Sequence, residues 1–325
     1  MRLRRKARDD VERSVRLFYA SDIHGSDLLW RKFLGASKFY DADASVMGGD
    51  LLGKAIVPIE HTAEGTYKAE FLGDERLVRE GTELDELVDA IRFNGFYPWI
   101  ASRDEIEDRA ADTDALFGEV ARDEVRRWVD LAEQRASGNG SGELYVMAGN
   151  DDPWFVDEIL ERSPALVFCD DRIVRLGPHE MLSSSYANLT PWDSPRELDE
   201  DALYNRLKKL ADQLEEPKRS IFNLHVPPYD SRLDQGPDLK PDLTPRYSGG
   251  QPVMKPVGSK AVRQLIEEVQ PLVALHGHIH ESKGETRIGR TLALNSGSEY
   301  NTGRLHGVVV TLADDRVIGH QFVVG

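Results

Sequence analysis

Three histidines, His276, His278 and His280, surround Gly277 at the end of the apolar run Leu272-Val273-Ala274-Leu275. Such a run has the length of a buried strand in an α/β sheet, and the glycine lets the backbone turn tightly after it. Two histidines one residue apart on that loop, His278 and His280, can aim their ring nitrogens into a single crevice, as a metal site requires. Other apolar runs end in the same way. Val15 to Ala20 runs into Ser21-Asp22-Ile23-His24-Gly25, and Ala44 to Met47 stops at Gly48-Gly49-Asp50. Leu144 to Ala148 ends in Gly149-Asn150-Asp151-Asp152, and Ile221 to Leu224 delivers His225. Oxygen and imidazole donors without thiolate suit divalent Mn, Fe, Zn, Co or Ni rather than a structural thiolate zinc site. Asp22, His24, Asp50, Asn150, His225, His278 and His280 are too many for one catalytic ion that keeps an open position. Two ions sharing a bridging carboxylate would use them all, the arrangement that clamps an in-line displacement.

Five strand ends must meet to build such a centre, which points to an α/β sheet with its loops gathered at the carboxyl ends of the strands. Composition permits it: 40% of the 325 residues are hydrophobic, enough for a packed core. Forty-one Lys and Arg against 57 Asp and Glu give a net charge of −16, which repels nucleic-acid phosphates and anionic membranes. A nucleic acid is therefore not an expected partner, and no apolar stretch approaches a membrane span. Cys169 stands alone, so intrachain disulfides, thiolate clusters and paired-cysteine redox motifs are excluded, in keeping with a reducing cytoplasm. The basic start, Arg2 to Arg8, meets Asp9, Asp10 and Glu12 before any apolar run. It lacks the apolar core of a signal peptide and reads as a solvated tail over residues 1–14.

Residues 15–325 read as one domain with two additions. IVPIE and YKAEFLG around Glu64-Gly65 predict a hairpin, and Leu84, Leu87, Val88 and Ile91 predict an amphipathic helix ending near Gly95. Ser102 and Glu105 form a capping-box pattern for a further helical stretch through Val125, Trp128, Val129 and Ala132, with Gly118 a possible break. The run Ser137 to Gly142 then closes a candidate cap insertion over 54–142, which packs peripherally or contacts substrate. Short strands are predicted around 166–168, 173–176 and 181–185, and a helix through Leu203, Leu207, Leu210 and Leu214. Residues 226–257 form a Pro- and Gly-rich loop too long for a mere connector, and strands are predicted at 291–294, 308–312 and 317–324.

In order and spacing these motifs resemble the calcineurin-like metallophosphoesterase superfamily, the dinuclear metallophosphatases and phosphodiesterases. Asp22-Ile23-His24 is similar to its D-x-H, Gly49-Asp50 to its G-D, and Gly149-Asn150-Asp151-Asp152 to its G-N-H-D/E. His225 corresponds to its lone histidine and Gly277-His278-Ile279-His280 to its G-H-x-H. The resemblance spans residues 16–300 and implies a four-layer αββα sandwich of two mixed β-sheets flanked by helices. It implies two divalent ions, one held by Asp22, His24, Asp50 and His280, the other by Asp50, Asn150, His225 and His278. It implies phosphoester hydrolysis by a hydroxide bridging the two ions, on a small-molecule substrate, with phosphodiesters ahead of phosphomonoesters. A scaffold that retains the fold without catalysis is the contrary reading, and a scaffold has no need of seven aligned ligands.

One position departs from the pattern. Asp151 stands where the family places a histidine that binds phosphate and protonates the leaving group. An aspartate, ordinarily ionised above ~4, is a poor acid at neutral pH and repels phosphate unless its surroundings raise its pKa. Asp151, with Asp50 and Asn150, is thus a candidate catalytic residue whose role the sequence leaves open. His276 is expected to be a structural or ligand-supporting histidine, and Asp152 to orient a ligand or cap a helix. His61, His179, His306 and His320 read as surface or structural, while Arg246 and Lys255 could reach a substrate phosphate or remain solvated.

Overall fold

The computed structural model describes residues 14–136 and 142–325. The expected tail up to residue 13 and residues 137–141 of the Gly/Ser run lie outside the described residues. Among the described residues, two six-stranded sheets stack face to face. The first runs in the order Arg316–Val324, His306–Ala313, Val15–Ala20, Ala44–Gly48, Glu143–Met147, Val167–Phe168. The second runs Gly284–Ile288, Thr291–Asn295, Val273–His276, Ile221–Leu224, His179–Ser184, Arg172–Leu176. Within each sheet the ligand-bearing strands are parallel neighbours, so their carboxyl ends open on the same side.

The side-chain period of two explains why these strands read as unbroken apolar runs. Leu17, Tyr19, Val46, Tyr145 and Met147 face Met181, Ile221, Val273, Leu275 and Leu294 in the core between the sheets. Their alternates Phe18, Ala20, Met47, Leu144 and Val146 turn outward onto the helices Asp27–Tyr40, Thr113–Ala136 and Phe155–Glu161. On the other side Leu182, Phe222, Ala274 and Ala293 pack against Glu200–Ala211 and Lys260–Val269 through Leu203, Leu207, Val262, Leu265 and Ile266. The order is helix, sheet, sheet, helix. The αββα architecture expected from the motifs is the one observed.

The hairpin around Glu64-Gly65 forms from Ile56–Ala63 and Thr66–Phe71, but it belongs to a four-stranded sheet. Asp74–Arg79 adds an antiparallel edge and Tyr97–Ser102 pairs parallel to Ile56–Ala63. Asp74–Arg79 carries no apolar alternation, because it is an edge strand that brings only Val78 to the small core beside it. Thr82–Phe93 lays Leu84, Leu87 and Ile91 on Val57, Ile59, Ala69 and Phe71, giving this segment a small core of its own. The Ser102–Glu105 capping box is present with both of its bonds. Gly118 is not the break: the chain interrupts at residues 110–112, between Arg103–Arg109 and Thr113–Ala136, and Gly118 lies inside the second helix. One interior glycine costs ~1 kcal/mol, which Leu116, Ala121, Val125 and Trp128 offset by packing. The helix predicted through Leu214 ends at Ala211, and Leu214 still packs into the same core.

The stretch 226–257 is not a shapeless loop. Gln235–Pro237 pairs with Met254–Pro256, and Tyr247–Ser248 pairs with Gln251–Pro252, so it is an extended hairpin arm. Among the described residues no helix is long and apolar enough to cross a membrane.

Candidate metal centre

Asp22, His24, Asp50 and His278 all adopt positive φ, at 58°, 39°, 50° and 64°. A non-glycine residue held in that region costs ~1–3 kcal/mol and persists only where its surroundings over-determine it. Here the loops lace to one another. Asp22 N donates to Gly49 O (2.9 Å), His24 N to Asp50 O (3.0 Å) and Gly25 N to Leu51 O (2.7 Å). Gly277 N donates to His225 O (3.0 Å), His278 N to both Asp22 carboxylate oxygens (3.0 and 3.1 Å), and Ser298 Oγ to Asp22 O (2.6 Å). Glycine is required at two of the junctions. A Cβ on Gly149 would fall on the Asp50 carboxylate, and one on Gly277 on Ser21 Oγ and the Asp22 carboxylate.

Four of the five strand ends converge on two donor groups, and the fifth, carrying Asn150, adjoins them through the Asp151 amide on Asp50. Donor atoms of Asp22, His24, Asp50 and His280 lie within 4.8 Å of one another, and so do those of Asp50, His225 and His278, with Asp50 common to both groups. His24 Nε2 and His280 Nε2 are 3.0 Å apart, His280 Nε2 is 3.5 Å from Asp22 Oδ1, and His24 Nε2 is 3.6 Å from Asp50 Oδ2. His225 Nε2 is 3.3 Å from Asp50 Oδ1. Ligands ~2.1 Å from a common cation stand ~3.0 Å apart at right angles and ~3.4 Å apart in a tetrahedron, so these spacings fit donors sharing a cation. Asn150 is buried, and its Oδ1 receives no hydrogen bond. A buried amide oxygen left so is costly, and a cation beside it would remove the cost. The donor set therefore fits two divalent ions.

Burial pushes the His24 and His278 imidazoles down to about 4, leaving both neutral with a lone pair free to ligate. Burial also opposes charge on His225, but Asp50 and then Asp22 outweigh it and push this group up to about 10. Its Nδ1 lies 2.8 Å from Gly48 O, which fixes the ring with Nε2 toward Asp50. Asp50 itself is held well below the usual carboxylate range, because the neighbouring histidines, His225 foremost, overcome its burial.

Asp151 stands at the rim. Its Oδ2 is 2.8 Å from Lys54 Nζ, and its Oδ1 accepts from Ser194 Oγ (2.6 Å) and Asn150 Nδ2 (3.3 Å). Its amide donates to Asp50 Oδ1 (3.2 Å). Asp152 points the other way and accepts from the amides of Leu51 (3.1 and 3.0 Å), Leu52 (2.9 Å) and Gly149 (2.8 Å). It braces the Asp50 loop against the Asn150 loop and does not cap a helix. His276 is fully buried with Nδ1 2.8 Å from Leu224 O and 3.1 Å from Val226 O, outside both donor groups. Arg246 and Lys255 pair with Asp238 at 3.2 and 2.8 Å on the hairpin arm. His179 is buried against Arg219 O, His306 and His320 pair with Glu299 and Glu285, and His61 lies against the Tyr67 ring.

Several neighbours of the centre have no signature in the sequence. Tyr300 lies with its ring 4.7 Å from that of His24 and 5.8 Å from that of His280. Tyr97 OH accepts from Gly53 N (2.8 Å), so the base of the four-stranded sheet supports the loop that carries Asp50. Lys54, four residues beyond Asp50, is the neighbour that position alone could suggest. Arg196, wholly buried behind the Asn150 loop, is announced by nothing in its local sequence.

No family model matches the chain. The uncharacterized protein MJ1162 of Methanocaldococcus jannaschii is 27% identical over 189 residues, 57% of this chain and 77% of that protein. A solved structure aligns over 96% of this chain and 98% of its own with a TM-score of 0.51 and 15% identity, a likeness of fold. YfcE, a phosphoesterase from E. coli, aligns over 94% of this chain and 98% of its own with a TM-score of 0.32 and 13% identity.

Proposed function

We propose that the chain is a metal-dependent hydrolase of phosphoesters with a dinuclear divalent centre, and that diesters are its substrate class. The supporting observation is the sharing of Asp50 between two donor groups assembled from four strand ends. Asp22, His24, Asp50 and His280 would hold one ion, and Asp50, Asn150, His225 and His278 the other. Two such cations, of Mn, Fe, Zn, Co or Ni type, supply Lewis acidity and an acidified water. The protein residues supply shape and charge around them. Asp22 and Asp50 bring buried negative charge that favours cations, and the laced loops fix the donors before any ligand arrives.

Asp151 sets the choice of substrate in this reading. Both oxygens of its carboxylate are engaged by donors, Lys54, Ser194 and Asn150, rather than turned toward a leaving group. A diester carries one negative charge where a monoester carries up to two, so this rim carboxylate penalises a diester less. Hydrolysis would then rely on the stability of the leaving group, favouring aryl over alkyl esters by ~10²–10⁴-fold, the usual worth of general acid help. The acidic surface and the lone buried cysteine support a small-molecule substrate and a reducing compartment such as the cytoplasm.

The test is hydrolysis of a series of aryl and alkyl phosphodiesters and monoesters by protein reconstituted with Mn²⁺, reading log rate against leaving-group pKa. A steep slope with diesters ahead is expected, with little change in Asp151→Asn. Faster turnover of monoesters would overturn the diester assignment, and a shallow slope together with a large loss in Asp151→Asn would make Asp151 the acid. No hydrolysis at full metal loading would return the scaffold reading.

A further inference from the structure

The segment Ser194–Arg196 touches each residue of the stretch 150–154. Arg196 N donates to Asn150 O (3.2 Å), and Ser194 Oγ donates to Asp151 Oδ1 (2.6 Å). Arg196 Nε donates to Asp152 O (2.9 Å), Nη2 donates to Pro153 O (3.3 Å), and the guanidinium lies 4.3 Å from the Trp154 ring centre. The Arg196 side chain has no exposure to solvent. Its remaining donors reach Asp157 (3.0 and 2.7 Å) and Asp170 (3.0 Å). Asp170 in turn accepts from Ser185 N and Ser185 Oγ, both at 2.7 Å.

Asp170 follows the last strand of the first sheet, and Ser185 follows a strand of the second. Arg196 therefore ties the Asn150 loop to both sheets at once. The other ligand loops are fixed by lacing to one another; the Asn150 loop has this additional buried brace.

We propose that Arg196 is a positioning residue for one half of the metal centre, holding Asn150 and Asp151 in register so that the ion at Asn150, His225 and His278 can bind. The inference rests on the dinuclear reading above. The Asp22, His24 and His280 half should depend on this brace less, because nothing in the 194–196 segment bonds to those residues and the braced loop meets that half only through the shared Asp50, by way of the Asp151 amide. A guanidinium is also needed in particular: its fork reaches two carbonyls and two carboxylates at once, where an ammonium offers a single point of charge.

The experiment is Mn²⁺ titration of wild type, Arg196→Met, Arg196→Lys and Ser194→Ala, read by calorimetry and by electron paramagnetic resonance, with the melting temperature recorded for each. Wild type is expected to bind two ions and give the spectrum of an exchange-coupled pair. Arg196→Met is expected to keep the first ion, to weaken the second by ~10–100-fold as for other groups that orient ligands, and to show a mononuclear spectrum. Arg196→Lys should recover part of the loss. Ser194→Ala leaves the buried charges intact and should weaken the second ion alone by a smaller factor, a result readable even if Arg196→Met fails to fold. Parallel weakening of both ions, or two ions bound with wild-type affinity in both Arg196→Met and Ser194→Ala, would overturn the inference while leaving the dinuclear reading in place. Failure of wild type to bind two ions would overturn both.

Discussion

Asp50 is the residue on which both halves of the centre depend. Its two carboxylate oxygens lie 3.6 Å from His24 Nε2 and 3.3 Å from His225 Nε2, and among the described residues it is the member common to both donor groups. Asp50→Ala is expected to abolish tight binding of both ions, whereas His280→Ala should weaken one, and elemental analysis after desalting distinguishes them. The histidines also give metal binding a pH dependence of defined sign. His225, pushed up to about 10, holds a proton at neutral pH that a cation must displace. Protons are therefore released on loading, and affinity rises as pH climbs toward 10; titrations in buffers of different ionisation enthalpy measure this. In the metal-free protein the same raised value contributes stability that is full below the unfolded value of ~6.5 and is lost as pH rises through about 10. His225→Asn should remove that slope from denaturant midpoints recorded in chelator.

The junctions between strand and loop carry the next layer of the argument. Positive φ at four ligand residues stores strain in the loops, and the lacing of Asp22, His24 and Gly25 onto 49–51 holds it. Gly149 sits where a side chain would collide with the Asp50 carboxylate. Gly149→Ala is expected to displace Asp50, to lower metal affinity for both sites, and to cost ~1–3 kcal/mol of stability as an overpacked junction. Calorimetric metal titration and chemical denaturation read the two effects separately. An unchanged metal affinity would mean that the Asn150 loop can move away without carrying Asp50.

Across the whole molecule, two sheets and the loops at their parallel carboxyl ends meet only in the folded state, so the centre is absent from the unfolded chain. Ions that bind the native protein alone must then stabilise it by mass action, ~2.7 kcal/mol for one ion present at 100 times its Kd. Melting temperature is expected to rise by several degrees on adding Mn²⁺ to chelator-treated protein and to fall again with excess chelator. Replacement of both Asp22 and Asp50 should remove the response. A persistent shift in that variant would place the stabilising ion elsewhere on the acidic surface.

The clustered Asp and His donors and the sheets that carry them were legible in sequence because each uses local chemistry. Apolar runs ending in Asp-Ile-His, Gly-Asp, Gly-Asn, a lone histidine and Gly-His-Ile-His state both strand and ligand within a few residues. The same locality concealed the rest. Asp74–Arg79 brings only Val78 to a core and so shows no alternation, and Gly118 breaks nothing because packing across the helix outweighs its propensity. The resemblance singled out Asp151 as an aspartate where a histidine is expected, but Lys54 and Ser194, 97 and 43 positions away, could not be seen to hold it. Arg196 has no signature in its local sequence and is wholly buried, because its partners Asp152, Asp157 and Asp170 arrive from two loops and a helix elsewhere in the chain. Sequence determined which atoms could bind a metal ion, since donor chemistry belongs to the residue. Tertiary structure alone decided which charges offset them and what holds them in place, because those are contacts between strand ends that the chain does not bring together until it folds.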